Sequence, residues 1–354
     1  MISNLTIKGF RAFREMRVDP LARVNLFVGP NNAGKSTILE AVELLSAGSP
    51  GSLLNILGRR REEMLNEGEE GAELDPRHLF CGHAPVLGST FRIEQSGKNR
   101  RWVECMLANV PTSASHPLGK ILEFAGIKEF KALVFSSDRS VPVNLPLSRE
   151  GGLSESLIEQ IPFPSSSGTV KFVGTEAPDL FLLGQLWDDI VLTPEESGVV
   201  EAMGLINSKV ERIAFVGENR REARKAFIRL AGSETRIPLG TIGDGLKHLV
   251  SLSLHLLSAR GGFLLVDEID TGLHHTVMSN MWKLVIETAE RLDVQVFATT
   301  HSLDCVQSLA HVRDRNPELA PSVSVHRLRN DMTTTVTYDM DEIAIAARDH
   351  IEIR

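Results

Sequence analysis

The sequence predicts an α/β fold built on a largely parallel sheet with helices on both faces, and three observations carry that prediction. Runs that stay apolar at almost every position, at 24–28, 263–266 and 294–299, alternate with helical patterns, as strands buried on both faces of a parallel sheet do. The first run opens into the glycine-rich stretch Gly29-Pro-Asn-Asn-Ala-Gly34-Lys35-Ser36-Thr37, and the second ends in two carboxylates, Asp267-Glu268. The 354 residues, 42% apolar and 24% charged, suit one large or two interleaved domains with a sizeable core. A formal net charge of −8 argues against a surface that coats nucleic acid nonspecifically. No run approaches the roughly 18 apolar residues of a membrane span, and the first residues do not read as a secretory signal. Cys81, Cys105 and Cys305 lie too far apart for a disulfide framework or a CxxC zinc knuckle, so buried thiols in a reducing cytoplasm are expected.

Taken in order, residues 2–10 read as a strand, 24–28 as a second, and 36–47 as a helix with Ile38, Val42 and Leu45 on one face. Residues 59–73 are charged and Gly-rich and read as a surface segment. Two β-rich runs around Ser96-Gly97-Lys98-Asn99 predict a hairpin over 89–107. Proline and serine clusters at 111–117 and 162–168 mark loops. Between 195 and 212 an amphipathic helix is predicted, with Val199, Met203, Ile206 and Val210 on one side. Short strands around a basic turn follow to 238, then a helix at 246–257, a strand at 263–266, a helix at 277–292 and a strand at 294–299. This divides the chain into an N-terminal lobe with an antiparallel β subdomain (1–110), an insertion with a helical arm and short strands (111–235), and a C-terminal lobe (236–354).

The strand, loop and helix around Gly29 satisfy the GxxxxGK[ST] pattern in its required setting. Backbone N–H groups over Gly29, Asn31, Asn32, Ala33 and Gly34 can turn inward around phosphate oxygens, aided by the helix N-terminus. Lys35 supplies a mobile positive charge, and the Ser36 hydroxyl, followed by Thr37, can complete a Mg²⁺ shell. The chain therefore reads as binding a nucleoside triphosphate. At the carboxyl edge of a parallel sheet the Asp267–Glu268 pair would lie beside this loop. There Asp267 would hold Mg²⁺ through water, and Glu268 would orient and deprotonate the attacking water. His301, after a further strand end, can donate to a γ-phosphate.

Together with Asp270-Thr-Gly-Leu-His274, these residues resemble the ABC-type ATPase heads of the SMC, RecF and OLD proteins. The resemblance makes 29–37 the Walker A loop, 264–268 Walker B, 270–274 the D-loop and His301 the switch histidine. It makes Gly243-Asp244-Gly245, in PLGTIGDGLK, the signature loop, with Gly243 standing where such heads usually carry Ser. The sequence is most similar to single-head, OLD-like bacterial ATP-binding proteins. What this implies is ATP and Mg²⁺ as ligands and a homodimer or higher oligomer closing around ATP, with each signature loop covering the partner's γ-phosphate. It also implies DNA or a separately encoded TOPRIM or HNH nuclease, or another effector, as partner in phage defence or DNA maintenance. A slow-turnover scaffold that restrains an effector is the alternative. OLD nucleases continue into a TOPRIM domain; here Asp339, Asp341 and Glu342 read as an acidic turn before a last helix, so no intrinsic nuclease is expected. His78 and His83 flank Cys81 and read as lid-loop residues rather than metal ligands. Basic clusters at 59–61, 98–101 and 220–225 read as solvated turns before they read as DNA contacts.

Overall fold

The computed structural model describes residues 1–59, 64–68, 71–112, 126–154, 169–217 and 224–353. Its centre is a six-stranded sheet in the order Val170–Val173, Phe263–Val266, Gln295–Thr299, Val24–Val28, Val323–Arg327, Val336–Tyr338. The first five pair in parallel and the last antiparallel, which gives the mixed, mostly parallel sheet expected of the fold. Both faces are covered, and the two-residue period of a strand sorts its side chains between them. Val24, Leu26, Val28, Leu264, Val266, Val296 and Ala298 pack against the helices Leu180–Asp188, Asp244–Ser258, His275–Arg291 and Leu303–Arg315. Phe27, Phe263, Leu265 and Phe297 face the opposite way, toward the helix Lys35–Ala47.

That helix lies between the core sheet and a second, antiparallel sheet. The order there is Phe13–Val18, Leu5–Phe10, Thr90–Gln95, Arg101–Pro111, Glu129–Ser137, Ser140–Pro146. Every residue of the helix except Ser36 is buried, which accounts for its lack of a polar face. Its two glutamates are matched: Glu40 pairs with the equally buried Arg11 at 2.5 Å, and Glu43 with Arg59. Gln295 stitches the chain start to the core sheet, accepting from Ile2 N–H at 2.7 Å and donating to Ile2 O and Ala22 O, both at 2.8 Å.

The hairpin predicted at 89–107 is present as Thr90–Gln95 and Arg101–Pro111. Two expectations are corrected. The helix drawn over 195–212 spans only Glu196–Gly204, and Val210–Val216 is a strand paired with Lys225–Leu230. Of the four residues expected on one apolar side, Val199, Met203 and Val210 are buried, Val210 by a β-ladder, while Ile206 is exposed. The charged stretch 59–73 contains a small hairpin, Met64–Gly68 with Gly71–Leu74; residues 60–63 and 69–70 lie outside the described residues. Of the two loops, 113–117 and 162–168 also lie outside them. The core sheet draws strands from all three sequence segments and the antiparallel sheet from the first two: Val170–Val173 joins Phe263–Val266 in the one, and Glu129–Ser137 joins Arg101–Pro111 in the other.

His326, fully buried beneath Phe27, donates from Nε2 to Asn25 Oδ1 and accepts at Nδ1 from Thr337. Burial drives its pKa down to about 3. The unfolded chain therefore binds a proton here near pH 6.5 that the folded chain refuses, and stability falls as pH drops from that value toward about 3. Urea unfolding at stepped pH should show this slope, and His326→Gln should flatten it; an unchanged slope would reject the assignment.

Candidate functional site

The phosphate-binding loop is shaped by what surrounds it. Gly34 has φ +89°, and a Cβ there would lie 2.4 Å from Phe13 Cζ, so only glycine fits both the backbone and the space. Asn32 also takes positive φ (63°), a region asparagine tolerates. With Asn31 it forms the exposed tip of the loop, while Ala33, Lys35 and Thr37 turn inward. The Lys35 ammonium donates to Gly29 O and Pro30 O, both at 2.9 Å, and to His301 Nδ1 at 3.3 Å. Burial lowers its pKa, partly countered by the negative charges of Asp267 and Glu268.

The parallel register brings the other strand ends to the same place. Ser36 Oγ donates to Asp267 Oδ2 at 3.0 Å, and Thr299 Oγ1 donates to Asp267 Oδ1 at 2.6 Å. Glu268 follows with φ +50°, a left-handed conformation rare for glutamate. That turn is held from both sides: Glu268 N–H donates to Thr299 Oγ1 (2.9 Å), and Thr271 Oγ1 donates to Glu268 O (2.8 Å). His301 Nε2 lies 3.9 Å from Glu268 Oε1. Asp270 accepts from Thr300 Oγ1 at 2.5 Å. Lys35, Ser36, Asp267, Glu268, His301 and Asp270 thus form one connected cluster, although they are scattered along the chain.

Gly243, Asp244 and Gly245 are placed differently. They start the helix Asp244–Ser258, with Gly243 and Asp244 exposed and Asp244 bound to Lys247 at 2.9 Å. Gly245 abuts the segment after the carboxylates, where an added Cβ would lie 2.5 Å from Gly272 O. His248 on the same helix donates from Nε2 to Ile269 O at 2.9 Å.

Thr299 and Thr300 had no role assigned from sequence, yet they position the carboxylates of Asp267 and Asp270 and the backbone of Glu268. The available signal was a pair of hydroxyls ending the strand next to the carboxylate strand. His78, within the short 3₁₀ helix Pro76–Leu79, and His83, in the turn after it, approach each other with their Nδ1 atoms 3.3 Å apart. Among the described residues no three His, Cys, Asp or Glu side chains are grouped to hold a metal ion. Arg59 and Arg224 are committed to Glu43 and Asp188, whereas Arg60, Arg61, Arg220 and Arg221 lie outside the described residues. Asp339 and Glu342 form a reciprocal cap on the helix Met340–Arg348, and Asp341 pairs with Arg313 at 2.7 Å.

Residues 1–76 match the family profile described as "AAA ATPase domain", and residues 147–304 match "AAA domain, putative AbiEii toxin, Type IV TA system". The chain is 23% identical to an "ATP/GTP phosphatase" of Helicobacter pylori, over 94% of this chain and 93% of that protein. It is 29% identical to the DNA replication and repair protein RecF of a Cyanothece species, over 46% of this chain and 38% of RecF. Among solved structures, the Smc head domain of Pyrococcus furiosus, crystallised with the C-terminal domain of ScpA, superimposes with TM-score 0.53 at 11% identity, covering 99% of this chain and 100% of that one. The fold is that of an SMC-like ABC ATPase head, with its mixed parallel sheet and antiparallel β subdomain. No described helix is long and apolar enough to cross a membrane.

An anion arriving at Lys35 stabilises its charged form and so raises a pKa that burial has lowered. Binding of Mg-ATP should then take up protons in the alkaline range, increasingly as pH rises through the lowered pKa of the free protein. Calorimetric titration in two buffers of different ionisation enthalpy measures that uptake; equal heats in both buffers at every alkaline pH would contradict it.

Proposed function

We propose that this chain is a Mg²⁺-dependent ATPase that dimerises around ATP and uses the closing and opening of the dimer to gate a partner. The observation that carries the reading is the convergence of Lys35, Ser36, Asp267, Glu268 and His301 through contacts of 3.0–3.9 Å. The relative named ATP/GTP phosphatase, aligned over nearly its whole length, supports nucleotide hydrolysis.

The residues fit a magnesium ion: Ser36 Oγ and Asp267 Oδ2, hard oxygens 3.0 Å apart, would hold Mg²⁺ beside the phosphates, Ser36 directly and Asp267 through water. When bound it would neutralise charge on the β- and γ-phosphates. Lys35 binds the same phosphates from the loop side. His301 takes a Lys35 proton contact at Nδ1, so Nε2 carries the hydrogen and can donate to a γ-phosphate oxygen. Glu268 is held in its left-handed turn with the carboxylate near His301, where it accepts a proton from water as the water oxygen bonds to phosphorus and the bond to ADP breaks. The exposed Gly243-Asp244 start of a helix offers backbone N–H groups to the nucleotide of a second copy. Asp270, anchored by Thr300, sits beside that junction.

By the same reading the gated partner is DNA or a separately encoded nuclease of the TOPRIM or HNH type, in defence against phage or in DNA maintenance; the RecF similarity supports a DNA-linked role. One observation favours a second reading, a slow-turnover scaffold that restrains an effector: Gly243 has no hydroxyl to offer a γ-phosphate.

Phosphate release by wild type and Glu268→Gln separates the two. Loss of the base should slow turnover by about 100-fold or more, while ATP still binds and a stable dimer accumulates on size-exclusion chromatography. Equal rates in the two proteins would eliminate the enzyme in favour of the scaffold.

A further inference from the structure

A cavity of about 650 Å³ opens at the outer edge of the core sheet, apart from the phosphate loop. That is the size of a small-molecule site. Its floor is the edge strand, with Lys171 and Phe172; its walls are Glu43, Arg59, Leu182 and His255. The charges inside are unevenly matched. Arg59 is gripped through both arms by Glu43 and sits over the Phe172 ring, its Cζ 4.1 Å from the centroid, so the Arg59–Glu43 pair is neutral. Lys171 forms no ion pair among the described residues, and the described residues that line the cavity carry one positive charge in excess. His255 Nδ1 donates to Ser251 O at 2.8 Å, so its Nε2 presents a bare lone pair. Burial, with the nearby positive charge of Lys171, lowers the His255 pKa and keeps the ring an acceptor.

A cation, an acceptor, the paired planar groups of Arg59 and Phe172 and the apolar side chains of Leu54, Leu182 and Leu186 within one cavity define a complementary ligand. We propose that this cavity binds a small organic anion with a planar apolar body and a hydrogen-bond donor, and that its occupancy biases the ATPase site. The walls belong to the elements that carry that site. Glu43 lies eight positions after Lys35 on one helix, about 12 Å along its axis. Val173, at the end of the floor strand, accepts at its carbonyl from Asp267 N–H at 2.8 Å. His255 is on the helix that begins at Asp244. A ligand pressing on these three elements shifts Asp267 and the Gly243–Gly245 loop relative to Lys35. Binding stands independently of the proposed function; the effect on turnover rests on it.

The probe is 8-anilinonaphthalene-1-sulfonate, which carries an anion, an N–H donor and a fused aromatic body, and which fluoresces when it leaves water. With the full chain and saturating Mg-ATP, it should bind saturably at one site per chain, and Lys171→Glu should weaken binding by about ten-fold or more. Phosphate release should change with probe occupancy in wild type and not in Lys171→Glu, whose folding is checked by its thermal melt. Binding that ATP displaces, that ignores Lys171→Glu, or that fails to saturate would overturn the site. Saturable binding that leaves turnover unchanged would overturn the coupling. A chain that does not hydrolyse ATP would fail only the phosphate arm, so the two readings fall separately.

Discussion

The hydrogen bonds of Asp267 tie four segments to one point. Its carboxylate accepts from Ser36 on the phosphate-loop helix and from Thr299 on the neighbouring strand, and its N–H donates to Val173 on the other side. These bonds are possible only if three parallel strands end level with one another and the loop returns over them. The parallel register, Val266 beside both Val173 and Ala298, supplies that alignment. Glu268 inherits its position from the same network, because its strained turn is anchored by the hydroxyl that also donates to Asp267.

A second constraint acts on the helix after the phosphate loop. Sandwiched between two sheets, it has no solvent face on which to put Glu40 and Glu43. Each is answered by an arginine from another element, Arg11 from the antiparallel sheet side and Arg59 from the following helix. Removing one partner of such a pair would strand a buried charge, which is far more destabilising than the pair is stabilising. These pairs fix the rotation of the helix, and so the direction in which Lys35 points.

What could be read from the sequence follows from how far each signal travels along the chain. The phosphate loop and the strands ending at Val28, Val266 and Thr299 were legible because full burial writes itself as an unbroken apolar run next to glycine or carboxylate. The stretch 195–212 misled because Val199, Met203 and Val210 fit a helical period, and even Val210 and Ile213 keep a helix-like spacing of three; a register shift between Val210 and Arg212 buries both in a strand whose partner begins at Lys225. Charge disguised the hairpin at 64–74, whose second strand also pairs with Leu153–Ser154, because its sequence carries little hydrophobic pattern. Thr299 and Thr300 escaped notice for a different reason: the partner of a hydroxyl at a strand end depends on cross-strand register, which one chain read linearly does not contain.

The central sheet ends in very short strands on both sides, Val170–Val173 at one margin and Val336–Tyr338 at the other. Four and three residues are too few to template a neighbouring molecule, and the charged Lys171 in the middle of the first further discourages strand-by-strand growth into fibres. Short length and charge at these margins thus act against edge-to-edge association of the apolar sheet.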